Sequence, residues 1–320
     1  MPNSKFVSCS TKVVAGALVR SRPAPPRTVA TLMNTFVCAT VMCCGLLSAK
    51  AALFYDSFDY LVGADLTGQS PNGGISSWQV MGTGGTGGTD PIIIEAGSLS
   101  VSGLAPSTGN SITYGGLGLT NRFPLGQTIT SGTLYYSFAF KITDLGSLSA
   151  TGGFLAGFNN ATGNVANQPT AIATRLVTKL NGTGFQVGVD KTLGQAGSFV
   201  FADTVFNPGD TVFVVGSYTF NSGSTTDDES RLWVNPDPAT FGLEIAPAGA
   251  LSSFSTADFT QIASFLFRQG NATAVPGVVV ADELRVDTTW AGVTVPEPSS
   301  IGWLGLAGAG LMARRRRSRP

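Results

Sequence analysis

Two groups of carboxylates carry the chemistry this sequence can offer. Asp227, Asp228 and Glu229 form an acidic turn of hard oxygen ligands, which suits Ca²⁺ in kind. Three consecutive acids do not follow the spacing of an EF-hand loop, and a solvated acidic loop is the competing reading. Asp282, Glu283 and Asp287 form the second group. A retaining glycosidase needs two carboxyls about 5–5.5 Å apart across the scissile bond. On a strand, residues i and i+2 share a face about 6.5–7 Å apart. Glu283 and Asp287 share a face but have Arg285 between them, so they read as a salt-linked outer surface, and no catalytic residue is assigned. The chain has no His, and its four cysteines (Cys9, Cys38, Cys43, Cys44) all precede residue 45. Ser-His-Asp triads, His general bases and zinc-His sites are therefore excluded within this polypeptide. Catalysis, if any, would run on carboxylates, Tyr or Lys.

A formal net charge of zero hides an asymmetry. Residues 52–295 hold 18 Asp and Glu against 8 Lys and Arg, a net of −10. The balancing positives lie in Lys5 to Lys50 and in Arg314 to Arg319. An acidic region with no basic stripe argues against nucleic acid as a partner. No cofactor is expected, with calcium as the one candidate.

Both ends read as processing signals. Met33–Leu47 is a mostly apolar run of 15 residues, followed by Ala49 and Ala51 in an A-x-A pattern. The run is short for a bilayer span and fits a signal-peptide core, with cleavage expected near Ala51 or Ala52. Met33 is an alternative start, which would make residues 1–32 an over-extended leader. At the other end stands Pro296-Glu297-Pro298, then the apolar stretch Ile301–Ala313, then Arg314, Arg315, Arg316, Arg317 and Arg319. The prolines fix φ and remove two backbone donors, keeping the tripeptide extended. The 13 apolar residues would span about 20 Å as a helix. The arginines would stay cytoplasmic, which places residues 52–295 outside. The order of these three parts resembles the PEP-CTERM sorting signal. That resemblance implies passage through the secretion machinery, a transient inner-membrane anchor, and cleavage by an exosortase at Pro296, Glu297 and Pro298. The protein would then be released or attached at the cell surface.

Three regions follow: a signal peptide (1–51), a β domain (52–295) and a sorting tail (296–320). Within the domain, Gly- and Ser/Thr-rich breaks separate short alternating segments. Thr133–Thr143 places Leu134, Tyr136, Phe138, Phe140 and Ile142 on one face and Tyr135, Ser137, Ala139, Lys141 and Thr143 on the other, as a half-buried strand does. Phe185, Val187 and Val189 alternate with Gln186, Gly188 and Asp190. Leu284 and Val286 point in while Glu283, Arg285 and Asp287 point out. Thr211–Phe220 is apolar on both faces and reads as a central strand. Further strands are expected at Leu99–Val101, Ser111–Tyr114, Phe154–Phe158, Leu232–Val234 and Ala263–Arg268; Ile172–Leu180, where Ile172, Leu176 and Leu180 also fit a helix, is read as a strand from the β context around it. Ser255–Asp258 offers a cap for one helical turn. Gly82–Thr89 reads as a flexible surface loop. This pattern is all-β, an antiparallel two-sheet sandwich or a barrel.

Three short motifs narrow the choice: Phe54–Tyr60 (FYDSFDY), Asp227–Pro236 (DDESRLWVNP) and Asp282–Trp290 (DELRVDTTW). Together they resemble the laminin-G/concanavalin A-like jelly rolls of exported bacterial proteins. The resemblance implies two packed sheets whose first and last strands pair, with Phe54, Phe58, Leu284 and Val286 in a shared core. Concanavalin-like glycosidases use a Glu-x-Asp-x-x-Glu type arrangement, which the acids at 282, 283 and 287 do not reproduce. A non-catalytic surface or matrix module is therefore expected, with extracellular polysaccharide as a candidate ligand. Trp78 and Tyr135 are its candidate stacking platforms or, alternatively, core residues. A carboxylate-based glycosidase or lyase and a calcium-stabilised adhesion module are the two alternatives.

Overall fold

A computed structural model describes residues 53–71, 76–83, 88–191, 199–254, 257–270 and 274–296. The chain parts into two units, 1–48 and 49–320, and every described residue belongs to the second. Among the described residues no helix is long and apolar enough to cross a membrane.

In chain order the strands are β1 (Phe54–Asp56), β2 (Gln79–Met81), β3 (Ile93–Glu95), β4 (Ser111–Tyr114) and β5 (Thr120–Ile129). Then come β6 (Gly132–Asp144), β7 (Gly153–Asn159), β8 (Ile172–Asn181), β9 (Gly184–Asp190) and β10 (Val200–Phe201). The last five are β11 (Thr211–Phe220), β12 (Glu229–Val234), β13 (Leu251–Ser253), β14 (Ile262–Phe267) and β15 (Val278–Asp287), before one helical turn, α1 (Trp290–Val293). Sheet A runs β13-β12-β11-β6-β15-β4-β3, and sheet B runs β10-β9-β8-β7-β14-β5-β2. Ladders between named strands are antiparallel throughout, so the protein is a two-sheet jelly-roll sandwich.

The expected closure is present. β1 lies on β15 with Phe54 opposite Val286 and Asp56 opposite Leu284, and Phe54, Phe58, Leu284 and Val286 join one core. Aromatic rings fill that core: Phe54 stacks on Phe123 at 4.1 Å, and Trp78 packs on Phe58, Phe123 and Phe267. β11 is central, as its two apolar faces require. Its Gly216 lies opposite Tyr136, and a Cβ there would come within 2.2 Å of the Tyr136 ring. The tyrosine fills the space the glycine leaves and donates its hydroxyl to Thr174 O at 3.0 Å.

Several expectations are corrected. Leu99–Val101 is not a strand; its backbone runs as a cover over sheet A, held by Leu99 N donating to Asp282 Oδ2 at 2.8 Å. The second face of β6 is not solvated at its centre. Ser137 and Ala139 are fully buried, because α1 and the 99–105 segment lie over them. β5 escapes sequence reading through Pro124 and Gly126, which break its pattern. Proline is tolerated there because β2 stops opposite Arg122, which leaves Pro124 on an open edge. α1 was also unforeseen. Thr289 caps it through Oγ1, accepting from Gly292 N, and Trp290 and Val293 bury against Trp233, Phe213 and Val215. The expected turn at Ser255–Asp258 falls partly outside the described residues, as do 84–87 of the glycine loop.

Candidate functional site

The acidic turn precedes β12 and is brought together with a residue sequence reading missed. Asp227, Asp228 and Asp258 offer oxygens that all lie within 4.8 Å of one another. Glu229, expected to be the third member, turns away to pair with Arg231 at 2.7 Å. All but one of the cluster's acceptors are engaged. Asp228 receives Tyr218 Oη–H at 2.6 Å and Asn221 N at 2.6 Å. Asp258 receives Asp227 N, Asp228 N and the Lys191 ammonium at 2.5 Å. Asp227 Oδ2 holds Gly223 N and Ser224 N, leaving Oδ1 without a partner. This is a loop clasp with a built-in cation, which a metal would have to displace.

The acids of β15 separate as well. The register of β15 against β6 slips between Asp282 and Arg285, and Glu283 there takes a left-handed φ of 58°. Strict alternation from Leu284 would send Asp282 to the core. The bulge instead places it opposite Ala139, under the 99–105 cover. Burial there, before any other cause, pushes its carboxyl up to about 8. Glu283 is locked by Tyr55 Oη at 2.9 Å, Thr108 N at 3.1 Å and Arg285 at 2.9 Å, as its salt-linked reading expects. Asp287 serves other donors: Leu53 N, Thr289 N and Thr289 Oγ1. Glu283 and Asp287 point outward, yet both are buried. No free acid–nucleophile pair forms among them.

Trp78 is 1% exposed and donates Nε1 to Asp56 Oδ2 at 2.8 Å, so of its two readings the core one holds. Tyr135 is half-buried on the outer face of sheet A and packs on Trp233 at 6.3 Å. The notable aromatics sit elsewhere, on the outer face of sheet B. Pairing places Arg122 (β5), Phe154 (β7), Arg175 and Lys179 (β8) and Phe201 (β10) on the side opposite Phe123, Phe158, Phe185 and Val187, and Arg268 follows β14 there. Four of the eight cations of residues 52–295 thus share one face. Arg268 lies 3.8 Å from the centre of the Phe154 ring and Arg175 lies 4.8 Å from it. Lys179 lies over Phe201 at 4.4 Å. Desolvation pulls both Arg175 and Arg268 down to about 10, and for Arg175 the nearby Arg268 charge adds to it. Arg175 pairs with Asp190, and Arg122 is tied to Asn159 and Gly163 O. Arg268 has no carboxylate partner among the described residues, and its buried Nε, like that of Arg175, lacks an acceptor. Sequence reading missed this face because its members come from four strands and the residue that follows a fifth, with no cluster in the chain to flag them.

The chain leaves the sandwich beside α1. Val293 O accepts Ser137 Oγ at 2.6 Å, Ala105 N donates to Val295 O at 2.9 Å, and Pro296 bridges Leu104. Glu297, Pro298 and Arg314 to Arg317 lie outside the described residues.

Residues 294–317 carry the PEP-CTERM protein-sorting motif. No curated protein matches the sequence. Among solved structures the sandwich is similar to alginate lyase Aly36B at 14% identity, with a TM-score of 0.35, over 66% of this chain and 96% of that one. It is likewise similar to endo-beta-1,4-glucuronan lyase from the fungus Trichoderma reesei (14%, TM-score 0.36, 68% and 96%). The T. cruzi calreticulin globular domain is similar at 9% identity (TM-score 0.39, 74% and 88%).

Proposed function

We propose that this chain is an exported exosortase substrate whose sandwich binds an anionic extracellular polysaccharide, without catalysis, on the outer face of sheet B. The sorting motif at 294–317 supports the export and processing. One observation carries the ligand assignment: Arg268, stacked on Phe154 next to Arg175, is a desolvated cation with no carboxylate of its own among the described residues. Asp190 offsets the Arg175 charge, and that of Arg268 beside it remains unfavourable unless a further anion offsets it. Carboxylated sugars supply that anion along with an apolar ring face for Phe154, and Arg binds carboxylates in a two-point geometry. Lys179 over Phe201 extends the same alternation of cation and ring toward the sheet edge. The compensation matters for a domain of net −10, which would otherwise repel a polyanion.

The glycosidase or lyase alternative is weakened by the locked Glu283 and by the separate bonding of Asp287. The calcium alternative is weakened by the Lys191 ammonium on Asp258. The test is titration of residues 52–295 with polyuronate and with a neutral glucan. Binding of polyuronate that falls with added salt is expected. Arg268→Ala should weaken it about tenfold while the melting curve stays in place. Equal affinity for the neutral glucan would remove the arginine face from the account. Release of unsaturated sugar products would make the protein a lyase.

A further inference from the structure

We propose that, before it is cut, the sandwich is held edge-on against the outer leaflet of the membrane, with the loop bearing Leu243 and Ile245 seated at the lipid headgroups. The inference rests on reading Ile301–Ala313 as the membrane segment, and adds the surface that faces the bilayer.

The tether is short. Pro296 is fixed to the fold by its bridge to Leu104, and Val293 and Thr294 behind it are fully buried. Four residues, Glu297 to Ser300, separate it from Ile301. Fully extended, that path reaches about 17 Å. The headgroup layer of one leaflet takes up about 6 Å of it. An apolar segment of 13 residues is also shorter than the hydrocarbon core, so it draws the domain inward. Whatever surrounds Pro296 must therefore meet the interface.

What surrounds it is apolar. Gly242 packs on the Pro296 ring, where an added Cβ would lie 3.0 Å from Cγ and Cδ, and Gly242 N donates to Thr294 Oγ1 at 3.1 Å. The next residues are Leu243, 50% exposed, and Ile245, 79% exposed. Both are large aliphatics that belong to none of the apolar clusters of the described residues. The loop from Pro236 to Ala250 contains Pro238, Ala239, Ala246, Pro247 and Ala248 and no Lys or Arg. Its acids, Asp237 and Glu244, argue against attraction to anionic headgroups. Seating is thus by apolar burial, of a size that a tether can hold in place and cleavage can release. Release of the domain would then follow directly from cutting the chain, with no separate detachment step.

A photo-crosslinking amino acid placed at Ile245, and in a second protein at Val205 on the sheet B side, tests this in cells that export the full chain but lack exosortase. Both positions are exposed, so the fold tolerates the exchange. Lipid adducts at 245, and none above background at 205, are expected. A protein adduct at 245, or no adduct while the chain sediments with membranes, overturns the proposal. A chain that does not sediment with membranes overturns the reading of 301–313 as an anchor, and the seating with it.

Discussion

Asp282 has a carboxyl whose protonation is set by the bulge beside it. Its side chain is fully buried, and burial raises its pKa from an ordinary 3.8 to about 8. An acid with a raised folded-state pKa holds its proton more tightly when folded. Its contribution is therefore complete below about pH 4 and is lost as pH rises toward 8. Asp56, raised by burial too, acts with the same sign. The native protein should melt at progressively lower temperature between pH 5 and pH 9. Asp282→Asn, which keeps an acceptor for Leu99 N, should flatten that dependence and gain about 2 kcal/mol at the alkaline end. Thermal melts of both proteins across this range check it; parallel curves would assign the proton elsewhere. On the other sheet, the Arg268 guanidinium is the residue on which the proposed ligand binding turns, and it belongs to neither acidic group that the chemistry of the chain first suggested.

Among the elements, α1 decides more than its single turn suggests. Trp290 and Val293 close the cluster of Phe213, Val215, Trp233 and Phe241 on the outer face of sheet A. A chain ending at Val295 keeps that cover and should fold. A chain ending at Thr288 uncovers it, and should lose about 4 kcal/mol, the cost of deleting large buried side chains. Urea denaturation of the two truncations measures the difference; equal midpoints would show that the turn adds nothing. Clean alternation or a continuous apolar run made β6, β9, β11 and β15 legible from sequence; β4, β7, β12 and β14 were read as shorter segments, and β8, whose Ile172, Leu176 and Leu180 also fit a helix, only from the strands around it. β2, β3, β10 and β13, each two or three residues long, were not, since so short a segment carries no period.

For the molecule as a whole, sheet A carries the exit of the chain and sheet B the cationic face, so the proposed membrane seating and the proposed ligand site fall on different sheets. The acidic loop joins β11 and β12 to Phe254 and Asp258 through Lys191, which serves as its cation. Added calcium should leave the melting temperature equal to that in chelator. A rise of several degrees would return the Asp227, Asp228 and Asp258 cluster to a metal role.

The destination of this protein was legible in the chain alone, because sorting is read by machinery that recognises a linear order: Pro-Glu-Pro, an apolar run, arginines. The strands were legible too, since a period of two follows from strand geometry and needs no partner to be seen, while the choice of a sandwich over a barrel rested on the resemblance of three short motifs. The pairing of first and last strands came from the motifs at Phe54–Tyr60 and Asp282–Trp290. The candidate binding face was decided by tertiary structure. Phe154 in β7, Arg175 in β8 and Arg268 just after β14 lie 21 or more positions apart, and only the order of sheet B makes them neighbours. The same holds for the acids. Asp258 entered the loop cluster from another segment, Glu229 left it for Arg231, and a one-residue bulge turned Asp282 out of the core. Charges are placed by what packs around them, and that is not written in their spacing.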